Sequence, residues 1–310
     1  MNETAVETAL VELPHGITLS CRTCGDKGRP VLMFLHGFPE AAFVWDALMI
    51  HFSRPEHGGF RCVAPNLRGF EHSSAPADVK DYRLKHLMQD IAALIAIECN
   101  NEPLACLVAH DWGGAVAWNL AAAQPALMRR LAIINSPHPG TFVRELTHSA
   151  EQQSASAYMN FLIRPDAEDR LAEDDFRRLW ALFNNMGATD GPHRWLTGPV
   201  QSQYRAVWQQ GLHGALNYYR ASPVRPPRPG DPGAAAVHIP REMLDIRVPT
   251  LVIWGMKDHA LLPSLLEGLD DYVPDMTLHR VDDATHWIVH EQPEQVAAYL
   301  QDFLAWETSR

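Results

Sequence analysis

The chain has 310 residues, 46% of them hydrophobic, enough to bury a substantial core as one domain with an insertion. A formal net charge of −11, with no basic stripe to offset it, excludes nucleic acid as the expected partner. Met1-Asn2-Glu3-Thr4 lacks the positive and apolar regions of a secretory signal, and no apolar run (Ile91 to Ile97 is among the longest) approaches a membrane span.

Ile17 to Cys24 reads as a strand of an N-terminal hairpin. It contains Cys21-Arg22-Thr23-Cys24, a CxxC without a second pair. With Cys62, Cys99 and Cys106 the cysteines form an odd set without framework spacing, so they read as reduced thiols of a cytoplasmic protein rather than a redox or zinc site. Val31 to Leu35 is a short, wholly apolar run of the buried parallel type. Arg61 to Ala64, Leu104 to Ala109 and Leu131 to Asn135 are further strands, with helical patterns over Leu84 to Cys99 and Ala115 to Ala123. Such alternation predicts an α/β fold whose mostly parallel sheet is flanked by helices. From about Thr141 to Arg241 the chain turns to polar helices rich in Trp, Tyr and Arg, and Ser222 to Gly233 reads as a stiff connecting loop. Thr250 to Trp254 and Met276 to Val281 resume as strands. A helical insertion after the sixth strand is expected to cap the sheet's carboxyl edge, where open α/β folds bind ligands. The division is then 1–140 and 241–310 for the core and 141–240 for the cap.

The most informative segment is Leu107-Val108-Ala109-His110-Asp111-Trp112-Gly113-Gly114: an apolar strand, a one-residue crest and a helix. Small residues flank the crest because strand and helix backbones nearly touch at such a nucleophile elbow. An aspartate there is a poor acyl acceptor but can displace a leaving group at saturated carbon, giving an alkyl ester that water cleaves. The plainer alternative is a helix cap. Three other segments fall at strand ends. Leu35-His36-Gly37-Phe38-Pro39 offers a backbone N–H to pair with that of Trp112 in an oxyanion hole, or else is an ordinary Gly-Pro turn. Trp254-Gly255-Met256-Lys257-Asp258 brings an acid that orients a histidine or lies in a surface turn. Ala284-Thr285-His286-Trp287 brings the histidine. Asp111, Asp258 and His286 thus follow the order nucleophile, acid, base. His286 and His290 have an i,i+4 spacing without an HExxH, so no metal is expected. His110 reads as a hydrogen-bonded structural histidine, and Glu168, Asp169, Glu173, Asp174 and Asp175 as a solvated helix face.

From about Val31 to Leu304 the chain resembles the epoxide hydrolases of the α/β-hydrolase superfamily. His36-Gly37-Phe38-Pro39, Asn66-Leu67-Arg68-Gly69, His110-Asp111-Trp112-Gly113-Gly114, Asn135-Ser136-Pro137-His138-Pro139, Asp258 and His286 carry the resemblance. It implies two cap tyrosines that grip the epoxide oxygen: Tyr158, seven residues before Pro165, and Tyr219 of Tyr218-Tyr219-Arg220, with Tyr218 the rival. Each tyrosine has an alternative reading as cap packing. Opening an epoxide makes an alkoxide, a poor leaving group that needs a proton or a strong hydrogen bond as the C–O bond breaks.

The related haloalkane and haloacetate dehalogenases share the loop and the elbow, and Trp112 would serve them as a halide donor. Phe38 after His36-Gly37 and the Tyr158-Met159 pair favour the epoxide instead. A ligand-binding receptor on a hydrolase scaffold is the alternative from another class. Three positions depart from the family's pattern: Ala109 for glycine, Asn66 for aspartate and Glu71 for glycine. The resemblance implies Asp111 as nucleophile, His286 and Asp258 as base and acid, and Phe38 and Trp112 as the oxyanion hole. His36, Trp112 and Tyr218 stand beside a small apolar substrate. No cofactor is expected, no membrane partner, and a homodimer is the assembly considered.

Overall fold

The computed structural model describes residues 5–305. The reading of Met1 to Thr4 lies outside them. Eight strands form one sheet in the order β1-β2-β4-β3-β5-β6-β7-β8. They are β1 (Glu7–Glu12), β2 (Thr18–Cys24), β3 (Val31–Leu35), β4 (Arg61–Pro65), β5 (Cys106–His110), β6 (Leu131–Ile134), β7 (Thr250–Gly255) and β8 (Met276–Val281). The hairpin β1–β2 joins antiparallel to β4, and all later pairings are parallel. Every residue of β3, β4, β5, β6 and β7 is buried, as strands covered on both faces require, which is why they read as continuous apolar runs.

The covering helices of the sheet are α1 (Asp46–Ser53), α2 (Leu84–Glu98) and α3 (Asp111–Ala123), with α10 (Ile288–Glu291) and α11 (Pro293–Ala305) closing the chain. The α2 helix buries Leu87, Ile91, Leu94 and Ile95, spaced three and four apart along one stripe. Between β6 and β7 the chain forms α4 (Pro139–His148), α5 (Ala150–Ala155), α6 (Tyr158–Leu162), α7 (Ala167–Asn184), α8 (Gly198–Trp208) and α9 (His213–Ala221), with no strand among them. The α7 helix is broken at Glu173–Phe176, where Asp174, Asp175 and Phe176 take positive φ. The acidic cluster there is exposed and paired with Arg170, Arg177, Arg178 and Arg205, so it is a solvated face.

The inserted helices are tied to the sheet's carboxyl edge by specific bonds. Trp208 Nε1 donates to Pro39 O at 2.7 Å, and Tyr218 Oη donates to Arg68 O at 2.8 Å. Gln152 bonds both Ala260 O and Leu262 N. Gly69 and Gly214 touch backbone to backbone, leaving no room for a Cβ at either. Among the described residues no helix is long and apolar enough to cross a membrane.

Candidate active site

The site begins at the end of β5. Asp111 has φ of +49°, a left-handed conformation that non-glycine residues rarely hold. The turn survives because its neighbours are small. A Cβ at Gly113 would overlap the carbonyls of Leu35 and His36, and one at Gly37 would overlap the Asp111 side chain. The helix starts at the crest itself, not at Ala115 as its pattern suggested, because the glycines that weaken the helical signal are needed for packing: Gly113 against the Leu35 and His36 carbonyls, Gly114 against the Ser136 side chain.

Asp111 Oδ1 accepts a hydrogen bond from the Phe38 backbone N–H at 2.7 Å. Asp111 Oδ2 lies 3.8 Å from His286 Nε2. His286 Nδ1 bonds Asp258 Oδ2 at 2.7 Å, and Asp258 Oδ1 accepts from the backbone N–H groups of Ala260 and Leu261 at 2.8 and 2.9 Å. Burial alone would depress the His286 imidazole. The Asp258 charge and hydrogen bond, with Asp111 and Glu40 behind them, override it and push the group up to about 9. Burial would raise the Asp258 carboxyl, but the His286 charge and four hydrogen-bond donors hold it below the usual range.

A cavity of about 280 Å³ opens above the Asp111 carboxylate. Tyr158 and Tyr219 line it from the inserted helices, and Phe38, Leu182, Met186 and Trp287 supply apolar wall. The two phenols face each other with rings 6.3 Å apart, edge to face. Burial raises both well above the usual phenol value, and the Asp111 charge adds to it, so both are neutral donors across ordinary pH. Tyr219 also packs edge-on against Phe38 and Trp112, at 5.3 and 5.1 Å.

The three residues expected beside the substrate, His36, Tyr218 and Trp112, do not line the cavity. The His36 ring is fully buried, its Nδ1 against Gly37 O at 2.9 Å and its Nε2 accepting from Leu67 N at 3.0 Å, so both nitrogens serve the loop and not the cavity. Tyr218 spends its hydroxyl on Arg68 O and packs against Phe70, Tyr82 and Trp112, because adjacent residues on a helix point about 100° apart. Trp112 meets the site through Tyr219 and is not a cavity wall.

Sequence reasoning also passed over residues that hold the site together. Glu40, fully buried, bonds His110 Nδ1 at 3.1 Å, His290 Nε2 at 2.7 Å and the Tyr204 hydroxyl at 2.8 Å. His110 Nε2 bonds His286 O at 2.9 Å. This knot links the Phe38 loop, the elbow, the His286 loop and α8, and it accounts for the i,i+4 histidine pair: His290 faces Glu40. Asn135 donates to Asp258 Oδ2 at 2.8 Å, and Ser136 Oγ donates to Asp111 O at 2.7 Å. Both sit in the Asn135-Ser136-Pro137-His138-Pro139 motif, the one signal that pointed to them.

A profile of the alpha/beta hydrolase fold family matches residues 30–293. The chain is 33% identical to the AB hydrolase superfamily protein YfhM of Bacillus subtilis, over 94% of this chain and 95% of that one. It is 30% identical to epoxide hydrolase 4 of Mus musculus, over 95% of this chain and 78% of the mouse protein. Among solved structures it is similar to a Bacillus megaterium epoxide hydrolase crystallised with an inhibitor. The TM-score is 0.85 at 29% identity, with 96% of this chain and 99% of that one covered.

Proposed function

The chain belongs to the epoxide hydrolases of the α/β-hydrolase superfamily, and we propose that it hydrolyses a small apolar epoxide to a vicinal diol through an ester on Asp111. In this reading residues 1–140 and 241–310 are the hydrolase core and 141–240 the cap. The observation that carries it is the pairing, across one cavity, of a carboxylate on an elbow crest with two neutral phenols. A nucleophile alone would serve several leaving groups. Two converging O–H donors answer the one difficulty peculiar to an epoxide, the alkoxide that ring opening creates.

Asp111 has two oxygens in different surroundings. Oδ1 is held by the Phe38 N–H, so Oδ2, nearer His286, is the attacking atom. It forms a bond to one epoxide carbon as that carbon's C–O bond breaks, and the ring oxygen takes a hydrogen bond and then a proton from the Tyr158 and Tyr219 side. Oδ1 becomes the ester carbonyl oxygen and stays on the Phe38 N–H. Neutral His286 then takes a proton from a water whose oxygen attacks Asp111 Cγ. Charge develops on Oδ1, where the Phe38 N–H, with that of Trp112, stabilises it. Collapse breaks the Cγ–Oδ2 bond as Oδ2 takes the proton held by His286, the proton left on the Asp111 carboxyl returns to the phenoxide, and the diol leaves carrying Oδ2.

Esterification itself prepares the second step. The Asp111 charge is one of the causes that raise His286, and the ester removes it. His286 therefore becomes easier to deprotonate when a base is needed, while Asp258 keeps it aligned.

Two features fit a small substrate. At about 30 Å³ per water, the cavity has room for roughly nine waters, which suits an epoxide of about a dozen non-hydrogen atoms. Beyond Asp111, His286 and the two tyrosines its wall is supplied mainly by Phe38, Leu182, Met186 and Trp287, and the exposed Asn185 and His259 also border it. The test is diol release from a panel of aryl and alkyl epoxides, run beside halide release from haloalkanes and haloacetates. Diol release alone supports the reading. Halide release without diol would make the chain a dehalogenase, and neither would favour a binding protein.

A further inference from the structure

The Asn135-Ser136 pair has no step in the reaction above, yet its bonds reach both ends of the catalytic set. Asn135 follows β6 with φ of +38°, a left-handed conformation that side-chain-bearing residues avoid and that persists only where the surroundings impose it. Its side chain is fully buried. Oδ1 accepts from Gly255 N at 2.9 Å, and Nδ2 donates to Asp258 Oδ2 at 2.8 Å, with Gly255 O farther off at 3.5 Å. That same Asp258 oxygen receives His286 Nδ1 at 2.7 Å. The next residue, Ser136, donates its hydroxyl to the Asp111 carbonyl at 2.7 Å, and its own carbonyl is fixed by Trp118 Nε1 at 3.1 Å.

We propose that Asn135 is a positioning residue for the base: by sharing Asp258 Oδ2 with His286, it sets how tightly the imidazole is held. Ser136 anchors the same dipeptide to the backbone of the nucleophile. The proposal rests on the reading of Asp111 as nucleophile and His286 as base.

A carboxylate oxygen with two donors divides its charge between them. Without the Asn135 amide, His286 is the only side-chain donor left on Oδ2. The oxygen then holds the imidazolium proton more strongly, and neutral His286 forms only at higher pH. The other charged or titratable groups facing His286 are Asp111, Glu40 and His110, the last with its ring 4.6 Å away, while Tyr158 faces both aspartates. The Asn135 amide bonds Gly255 and Asp258, so its removal acts on His286 through Asp258.

Asn135→Ala and Asn135→Gly in the full chain test this. Glycine removes the amide while accepting a φ of +38°, so it separates the lost bond from backbone strain and stands in if the alanine variant does not fold. Two quantities are read: the His286 imidazole titration by NMR in the free enzyme, and the pH dependence of ester decay in single turnovers. Both midpoints are expected to rise by about one pH unit in both variants, so that ester decay falls about tenfold below the midpoint and recovers above it. A rate that falls equally at every pH, with the His286 midpoint unmoved, would overturn the proposal and leave Asn135 a structural residue. If the wild type forms no ester, the functional reading fails, but the NMR midpoint still decides the role of Asn135.

Discussion

Phe38 and Asp111 share a 2.7 Å hydrogen bond from backbone N–H to carboxylate Oδ1, between residues 73 positions apart. The bond makes the two carboxylate oxygens unequal before any substrate arrives. In the proposed mechanism it fixes one oxygen on the donor that later serves the oxyanion and leaves the other, 3.8 Å from His286 Nε2, for attack. On that reading the oxyanion donor is already placed in the resting protein, and no reorganisation is needed when charge develops.

The cap tyrosines are expected to separate by role. Tyr158→Phe or Tyr219→Phe should slow alkylation of Asp111 by about 10² to 10³-fold, since each removes one donor to a forming alkoxide. Tyr218→Phe should leave alkylation near normal and instead cost about 1 kcal/mol of stability, because it strands the Arg68 carbonyl. Stopped-flow alkylation rates and thermal melts of the three variants check this. Equal kinetic losses at Tyr218 and Tyr219 would contradict the assignment.

His286→Gln should still alkylate but stall at the ester, losing about 10² to 10⁴-fold in hydrolysis. Intact-mass spectrometry should show the protein heavier by one substrate. Normal turnover in this variant would remove His286 as the base.

The pH dependence has a definite sign. His286 in the free enzyme is pushed up to about 9, and in the proposed mechanism the neutral form is the base, so ester hydrolysis should rise with pH. The ester lacks the Asp111 charge that helps to raise His286, so its midpoint should lie below that of the free enzyme. Single-turnover decay against pH, set beside an NMR titration of free His286, tests the difference. An ester midpoint at or above the free value would mean that Asp111 does not couple to the base.

Gly113→Ala should cost about 1 to 3 kcal/mol of stability through overpacking, because the added methyl overlaps the Leu35 and His36 carbonyls. It should also depress alkylation, since relief comes by shifting the elbow. Melting temperature and alkylation rate together check this. An unchanged melt would mean that the close approach at the elbow is slack.

Much of the fold was legible because its signals are local. Val31 to Leu35 and Thr250 to Trp254 are apolar runs that declare buried parallel strands, and a crest between small residues declares an elbow. What stayed hidden depends on partners far apart in the chain. Glu40 meets His290 across 250 positions, and Asn135 meets Asp258 across 123. His36 was misplaced beside the substrate because a loop histidine's direction is set by tertiary partners, here Leu67. The break in α7 has no glycine or proline to announce it. Two departures from the family pattern explain each other: the Asn66 amide donates to the Glu71 carboxylate, where an aspartate at 66 would set two like charges together. Glu71 has φ of +47°, which accounts for glycine as the usual residue there.

The central claim is that Asp111, not water, attacks the substrate. A single turnover with enzyme in excess, run in heavy-oxygen water and followed by peptide mass spectrometry, tests it most directly. The account predicts one labelled oxygen in the Asp111 peptide and an unlabelled diol, because the diol carries away Oδ2 while water restores the carboxylate. Label in the diol with none in the Asp111 peptide would mean that water opens the ring directly, and would contradict the account.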